Sequence, residues 1–236
     1  MSIYAVWGPP HSGKTTLAID MAFSFSQRGQ SVLLVSTELF SELSANLNVQ
    51  IKKEKSLAAV TEGNVSVKQV VQQVDNLLFV LAVPYDNDVF DGDISGNTAK
   101  ELMDQARSLF DVVIVDCQAG ASSIIAAWAL HQADRIVMLT GACSSAALWD
   151  LSYKRAVRTE SGKLLYVCDQ IASDFDYRAL CGCIHATPAV WLPYYSDARM
   201  TQETRRTLYG SNSKVGKDYT QKIDAICALL KEGSEE

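Results

Sequence analysis

Gly8, Gly13, Lys14 and Thr15 stand at the spacing G-x-x-x-x-G-K-[ST] in the stretch Gly8-Pro-Pro-His-Ser-Gly-Lys-Thr-Thr16. Those residue types at that spacing suit a polyphosphate. A loop that wraps such a ligand turns successive backbone N–H groups inward, then opens a helix whose N-terminal dipole also faces the anion. Gly13 permits close approach of the backbone, and Lys14 carries a mobile positive charge to the β- and γ-phosphates. The Thr15 hydroxyl is placed to complete the coordination of a Mg2+ ion that keeps most of its waters. Pro9 and Pro10 have no N–H, so after Gly8 the donors fall to His11, Ser12, Gly13, Lys14, Thr15 and Thr16. His11 reads as a neutral residue near the phosphates; as an imidazolium it would favour the anion directly.

A Mg2+-nucleotide site also needs a carboxylate at the end of a strand beside the strand that feeds the loop. Asp111-Val-Val-Ile-Val-Asp116-Cys-Gln-Ala-Gly120 has four apolar residues, an acid, and a glycine four positions on. Asp116 is the expected metal-side carboxylate. Gly120 is placed to give its N–H to the γ-phosphate, so that residues 116–120 register hydrolysis. The other use of Asp116 is as a cap on the following helix.

Alternating elements must hold these groups together. Short β-rich runs occur at Ile3–Trp7, Ser31–Ser36, Leu77–Val83, Val112–Asp116, Arg135–Thr140, Lys163–Cys168 and Val190–Leu192. Helical spacing is found over Lys14–Arg28, Ser41–Asn46, Val67–Val74, Thr98–Leu109, Ser122–Leu130, Ser144–Thr159 and Lys217–Lys231. Strands that are continuous apolar runs, alternating with helices, imply an α/β fold: a doubly wound, mostly parallel sheet with helices on both faces. Ligands of such sheets lie beyond the carboxyl ends of the strands, where Gly8, Glu38, Asp116 and Gly141 fall. Residues 85–96 read as an exposed loop and 232–236 as a disordered tail.

The chain has 236 residues, 48% of them hydrophobic, which predicts one domain with a sizeable core. A net charge of −6 argues against coating nucleic acid through overall charge. No secretory leader and no apolar run long enough to span a bilayer is apparent, and a cytoplasmic protein is expected. The six cysteines are expected to be reduced. Cys181-Gly-Cys183 with His185 lacks a complete set of metal ligands.

The phosphate loop, Val32-Leu-Leu-Val-Ser-Thr-Glu38, Asp-Val-Val-Ile-Val-Asp116 with Gly120, and Ala133-Asp-Arg-Ile-Val-Met-Leu-Thr140 together resemble the MinD/ParA branch of P-loop ATPases, including the pilus-associated CpaE and TadZ proteins. Trp191-Leu-Pro-Tyr194 and a last helix continue the resemblance. It implies binding of ATP and Mg2+, with Lys14, Glu38 and Asp116 as the catalytic set and Thr15 and Asp116 on the metal. Where that family has Asp-x-Asp after its second strand, this chain has Ser36 and Glu38, so Glu38 takes the water-orienting role; its other reading is a charge complementing the dipole of helix Ser41–Asn46. Where the family reads the base with an asparagine after a late strand, this chain offers Asp169, an acceptor that serves adenine or guanine donors, and Pro193-Tyr-Tyr195 is placed to line the base pocket. The family's signature lysine, directly after the first glycine, is replaced by Pro9, which removes a charge contact across its nucleotide-dependent homodimer.

The resemblance implies a nucleotide switch that positions or regulates a protein assembly such as a pilus or secretion machine, held at a membrane, if at all, through a partner. Basic residues at Arg199, Arg205, Arg206, Lys214, Lys217 and Lys222, and at Lys154, Arg155 and Arg158, leave DNA partition as an alternative. Pro9 and Ser36 leave a non-hydrolysing nucleotide-binding scaffold as another, and the acids at 86–93 a small-molecule kinase. The stripe Ile223, Ile226, Cys227, Leu229 and Leu230 would suit a membrane, but the acidic residues after Lys231 favour docking on the sheet.

Overall fold

Buried apolar runs build the sheet first. A computed structural model describes residues 1–39, 41–63, 65–84, 94–120, 122–141, 143–153, 161–171, 176–196 and 207–232. Its strands are β1 (Ser2–Trp7), β2 (Val32–Ser36), β3 (Gln72–Asp75), β4 (Leu78–Leu81), β5 (Val112–Asp116), β6 (Arg135–Gly141), β7 (Leu164–Ile171) and β8 (Val190–Pro193). They form one sheet in the order β3-β4-β2-β5-β1-β6-β7-β8, parallel throughout except for β3 against β4. In register, Val6 and Ser36 both stand opposite Asp116. The three central strands therefore end at one level, and the segments after them leave from one rim.

Alternate residues of β1 serve different cores. Ile3, Ala5 and Trp7 pack with α3 (Leu57–Gly63), α4 (Val67–Val70), α5 (Gly96–Leu109), α6 (Ile124–Gln132), α7 (Ser144–Tyr153) and α8 (Tyr177–Ile184). Tyr4 and Val6 pack with α1 (Lys14–Gln27), α2 (Leu43–Asn46) and α9 (Lys214–Glu232) on the opposite face. Strands covered on both sides can be apolar at every position, as Val112–Val115 are.

The expected helix over Val67–Val74 stops at Val70. Ser66 and Gln69 close a capping box around that single turn, and Gln72–Asp75 then alternates in burial as β3. The resulting hairpin covers the edge of β4 that would otherwise lie open. Helices α3 and α8 were not expected; Cys181-Gly-Cys183 lies within α8, whose cap is Asp176. Residues 85–93 of the expected loop at 85–96 and residues 233–236 of the expected tail at 232–236 lie outside the described residues, whereas Gly96 opens α5 and Glu232 ends α9 as helix; the end of the helix expected to reach Thr159 and the basic residues at 154–158 and 199–206 also lie outside them.

The apolar stripe of α9 is consumed in the interior, against α1 and β8. Ile223, Ile226, Cys227 and Leu230 are fully buried, each large aliphatic side chain contributing about 1.5–3 kcal/mol. Polar groups fix the alignment. Asp20 and Ser24 share one face of α1, and Arg28, the C-cap, follows at the next i, i+4 step. Asp20 accepts hydrogen bonds from the hydroxyls of Thr207 and Tyr219. Ser24 donates to Asp224 at 2.7 Å and Arg28 pairs with the same carboxylate at 2.8 Å.

Burial pushes the Asp20 carboxyl up to about 6, against the lowering effect of its two hydroxyl donors. The folded protein therefore keeps a proton that the unfolded chain releases near pH 4, so this contribution to stability is complete below pH 4 and is lost as pH rises through 6. Over that interval the loss is about 3 kcal/mol. Asp20→Asn is expected to remove it. Urea unfolding of both proteins from pH 4 to pH 7 should show the variant gaining on the parent as pH rises; a constant difference would refute this.

Candidate nucleotide site

The segment after β1 is forced close to β6. A Cβ on Gly8 would lie 2.4 Å from the Leu139 carbonyl oxygen, so the loop can leave the sheet there only with glycine. The loop then takes left-handed conformations at His11 (φ 57°) and Gly13 (φ 84°). Gly13 is the N-cap of α1 and has no side chain to cap it. The first turn of α1 also carries no acid, which leaves its positive end to an anion.

Lys14 is buried, with Nζ 3.1 Å from the Pro9 carbonyl oxygen and 3.9 Å from Glu38 Oε1. Thr15 Oγ1 donates to Asp116 Oδ2 at 2.8 Å, which ties the first turn of α1 to the end of β5. Asp116 is fully buried, and its Oδ1 has no hydrogen-bond partner among the described residues. Burial pushes its carboxyl up to about 7; Thr15 and Lys14 act to lower it, while Glu38 and Glu42 act to raise it. One ammonium among three carboxylates, with an unused buried carboxylate oxygen beside a threonine hydroxyl, is a donor set for a small hard cation. A Mg2+ ion thus fits Thr15 and Asp116.

The segments from β2 and β5 are stitched together. The Thr37 N–H donates to the Asp116 carbonyl oxygen at 3.0 Å, and the Gln118 N–H donates to Thr37 Oγ1 at 2.8 Å. Cys117 N–H reaches the Val6 carbonyl oxygen. Two indoles hold the next carbonyls: Trp7 Nε1 donates to Gln118 at 3.1 Å and Trp149 Nε1 to Ala119 at 3.0 Å.

Beyond the strand ends lies a cleft of about 870 Å3, within the usual range for small-molecule sites. Residues 10–16 form one wall, Glu38 and Glu42 another, and residues 118–120 a third. Asp169, Tyr194, Tyr195 and Tyr219 close the far end. Tyr195 and Tyr219 meet edge to face with centroids 5.3 Å apart, and the Tyr195 hydroxyl donates to Asp218. Aromatic rings beside an acceptor are suited to a nucleobase.

The structure therefore gathers His11, Ser12, Gly13, Lys14, Thr15, Thr16, Glu38, Gly120 and Asp169 around one cleft, with Asp116 behind Thr15. Gly8 and Pro193 are not among its walls. Gly8 packs behind the loop on Leu139, and Pro193 ends β8 while the two tyrosines after it face the cleft. Thr37, Glu42, Trp149 and Tyr219 were missed from sequence; Tyr219 lies more than 200 residues from the loop, and no local pattern marks it.

Residues 10–152 match the family model described as an AAA domain. No curated protein matches the chain in sequence. Among solved structures, the MinD cell division protein of Aquifex aeolicus superposes with a TM-score of 0.79 at 15% identity, over 98% of this chain and 97% of that one. The septum site-determining protein MinD of Pyrococcus horikoshii, complexed with Mg-ADP, does so with 0.78 at 17% identity over 99% of both chains. A plasmid partition protein of Borrelia burgdorferi bound to AMPPNP gives 0.73 at 14%, over 98% and 100%. At these identities the likeness establishes the fold, that of the MinD/ParA P-loop proteins.

Proposed function

The chain belongs to the AAA domain family, and on that premise we propose that it is an ATP- and Mg2+-dependent nucleotide switch of the MinD/ParA class. The observation that carries this reading is the Thr15–Asp116 hydrogen bond, with its unused buried carboxylate oxygen, beside the Lys14 ammonium at the head of the cleft. Lys14 and the N–H groups of residues 12–16 hold the polyphosphate. Thr15 and Asp116 hold the metal, which when bound neutralises phosphate charge. Gly120 donates to the γ-phosphate, Glu38 orients water, and Asp169 with the tyrosines takes the base.

The resemblance noted from sequence supports a cytoplasmic protein of the CpaE/TadZ kind, which positions a pilus or secretion assembly through a protein partner and pairs with a second copy when nucleotide is bound. It is not itself a membrane-spanning protein in this reading; among the described residues no helix is long and apolar enough to cross a membrane. Pro9, which cannot reach a second copy's phosphates as the family's lysine does, favours one alternative, a scaffold that binds nucleotide without turnover. DNA partition is a further alternative.

Phosphate release and molecular mass measured together during titration with ATP and Mg2+ separate the switch from the scaffold. Slow release with nucleotide-dependent dimers is expected, and Glu38→Gln should lower release about a hundredfold while binding persists. Binding without release, at constant mass, would favour the scaffold. Absence of nucleotide binding would overturn the proposal.

A further inference from the structure

An N–H of Gly120 that is aimed before the ligand arrives favours a third phosphate at least cost. Gly120 has no side chain to orient it, and among the described residues its Cβ position meets only Ser122 Oγ, at 3.8 Å. Its direction must come from its own peptide group. That peptide is planar, with the Ala119 C=O and the Gly120 N–H pointing in opposite directions. Whatever holds the carbonyl therefore aims the N–H.

Trp149 Nε1 holds that carbonyl at 3.0 Å, in a buried setting. The preceding peptide is held in the same way, with Trp7 Nε1 on the Gln118 carbonyl oxygen at 3.1 Å aiming the Ala119 N–H. The two indoles brace each other edge to face, centroids 4.8 Å apart, and Tyr153 stacks on Trp149 at 5.0 Å. Both tryptophans are nearly inaccessible to solvent. The backing of the cleft wall is thus a rigid aromatic block that presents two N–H donors to two consecutive carbonyls, while residues 118–120 face the cleft.

We propose that Trp149 is a positioning residue for the γ-phosphate: its indole N–H, by fixing the Ala119–Gly120 peptide, sets the preference of the site for nucleoside triphosphate over diphosphate. This rests on the nucleotide-switch reading above. Trp149 touches no ligand in this role, and a packing role alone would affect both nucleotides equally. An interaction made only with the third phosphate separates the two.

Trp149→Phe keeps most of the ring and removes the donor. Calorimetric titration of the parent with ADP and with the non-hydrolysable β,γ-imido analogue of ATP, each with Mg2+, should show tighter binding of the analogue. In Trp149→Phe the ratio of the two affinities should fall about tenfold, the loss expected for one hydrogen bond in a buried site, with ADP affinity changed less than about twofold. An unchanged ratio in the variant overturns the inference. Equal affinities in the parent also overturn it while leaving the nucleotide site standing, and a parent that binds neither ligand removes the nucleotide reading itself. Should the variant fail to fold, 19F spectra of the parent labelled with 5-fluorotryptophan at its four tryptophans carry the test. One of the two buried indole resonances must move with the analogue and not with ADP; identical spectra refute the proposal.

Discussion

Lys14→Ala is expected to abolish ATP-dependent phosphate release, lowering it by at least about a hundredfold, and to remove measurable nucleotide binding. The ammonium is the one cation lining the phosphate end of the cleft among the described residues, and Glu38, Glu42 and Asp116 surround it. Without it, a polyphosphate would enter a field set by three carboxylates. Lys14 leans on the Pro9 carbonyl and toward Glu38, interactions that phosphate oxygens would replace. Thermal unfolding provides the readout. ATP with Mg2+ at a hundred times its dissociation constant stabilises by about 2.7 kcal/mol, or about 5–10 °C in a protein of this size. That increment should vanish in Lys14→Ala while the midpoint without nucleotide moves by less than about 5 °C. A retained increment would show that the ligand binds elsewhere.

Gly8→Ala should be strongly damaging for a single added methyl. Its Cβ would sit 2.4 Å from the Leu139 carbonyl oxygen and 3.1 Å from the Leu139 Cβ. Those atoms belong to β6, which is hydrogen-bonded to β1 on one side and β7 on the other. Neither strand can give way without breaking its ladder, so the loop must lift. A loss of about 3 kcal/mol in unfolding free energy is expected, at the upper end for overpacking, together with weaker nucleotide binding because the loop can no longer seat on the sheet. Gly182→Ala is the matched control. It lies in α8, where an added methyl meets nothing within 4 Å among the described residues, and there alanine should stabilise by about 0.5–1 kcal/mol. Similar effects at both positions would refute the steric argument.

The contrast between these two glycines shows what was legible in the sequence. Gly8, Lys14, Thr15 and Asp116 were readable because a phosphate-binding turn and an acid at a strand end are each written within ten residues. The parallel sheet was readable from Val112–Val115 and its neighbours, since strands covered on both faces need no polar positions. What escaped depends on partners far away. Trp149 became relevant only because α7 sets its indole against Ala119, and Tyr219 because α9 returns to α1. Glu42 lines the cleft only because the segment after β2 carries it there, and no local pattern marks it. Residues 72–74 read as helix because they continued the pattern of Val67–Val70, and only the open edge of β4 made Gln72–Asp75 a strand.

The clasp between Asp20 and the hydroxyls of Thr207 and Tyr219 has a consequence for how the molecule comes into being. The helix that opens at the phosphate loop leaves a ribosome well before the groups that satisfy its buried carboxylate, which are about 190 residues behind it. Until they emerge, Asp20 must stay in water or be buried without partners, at a cost of about 1–3 kcal/mol. Closure over such a separation is slow. The residues of the site translated first are therefore the ones whose setting is completed last, and nascent chains halted before Thr207 should not be retained on immobilised ATP.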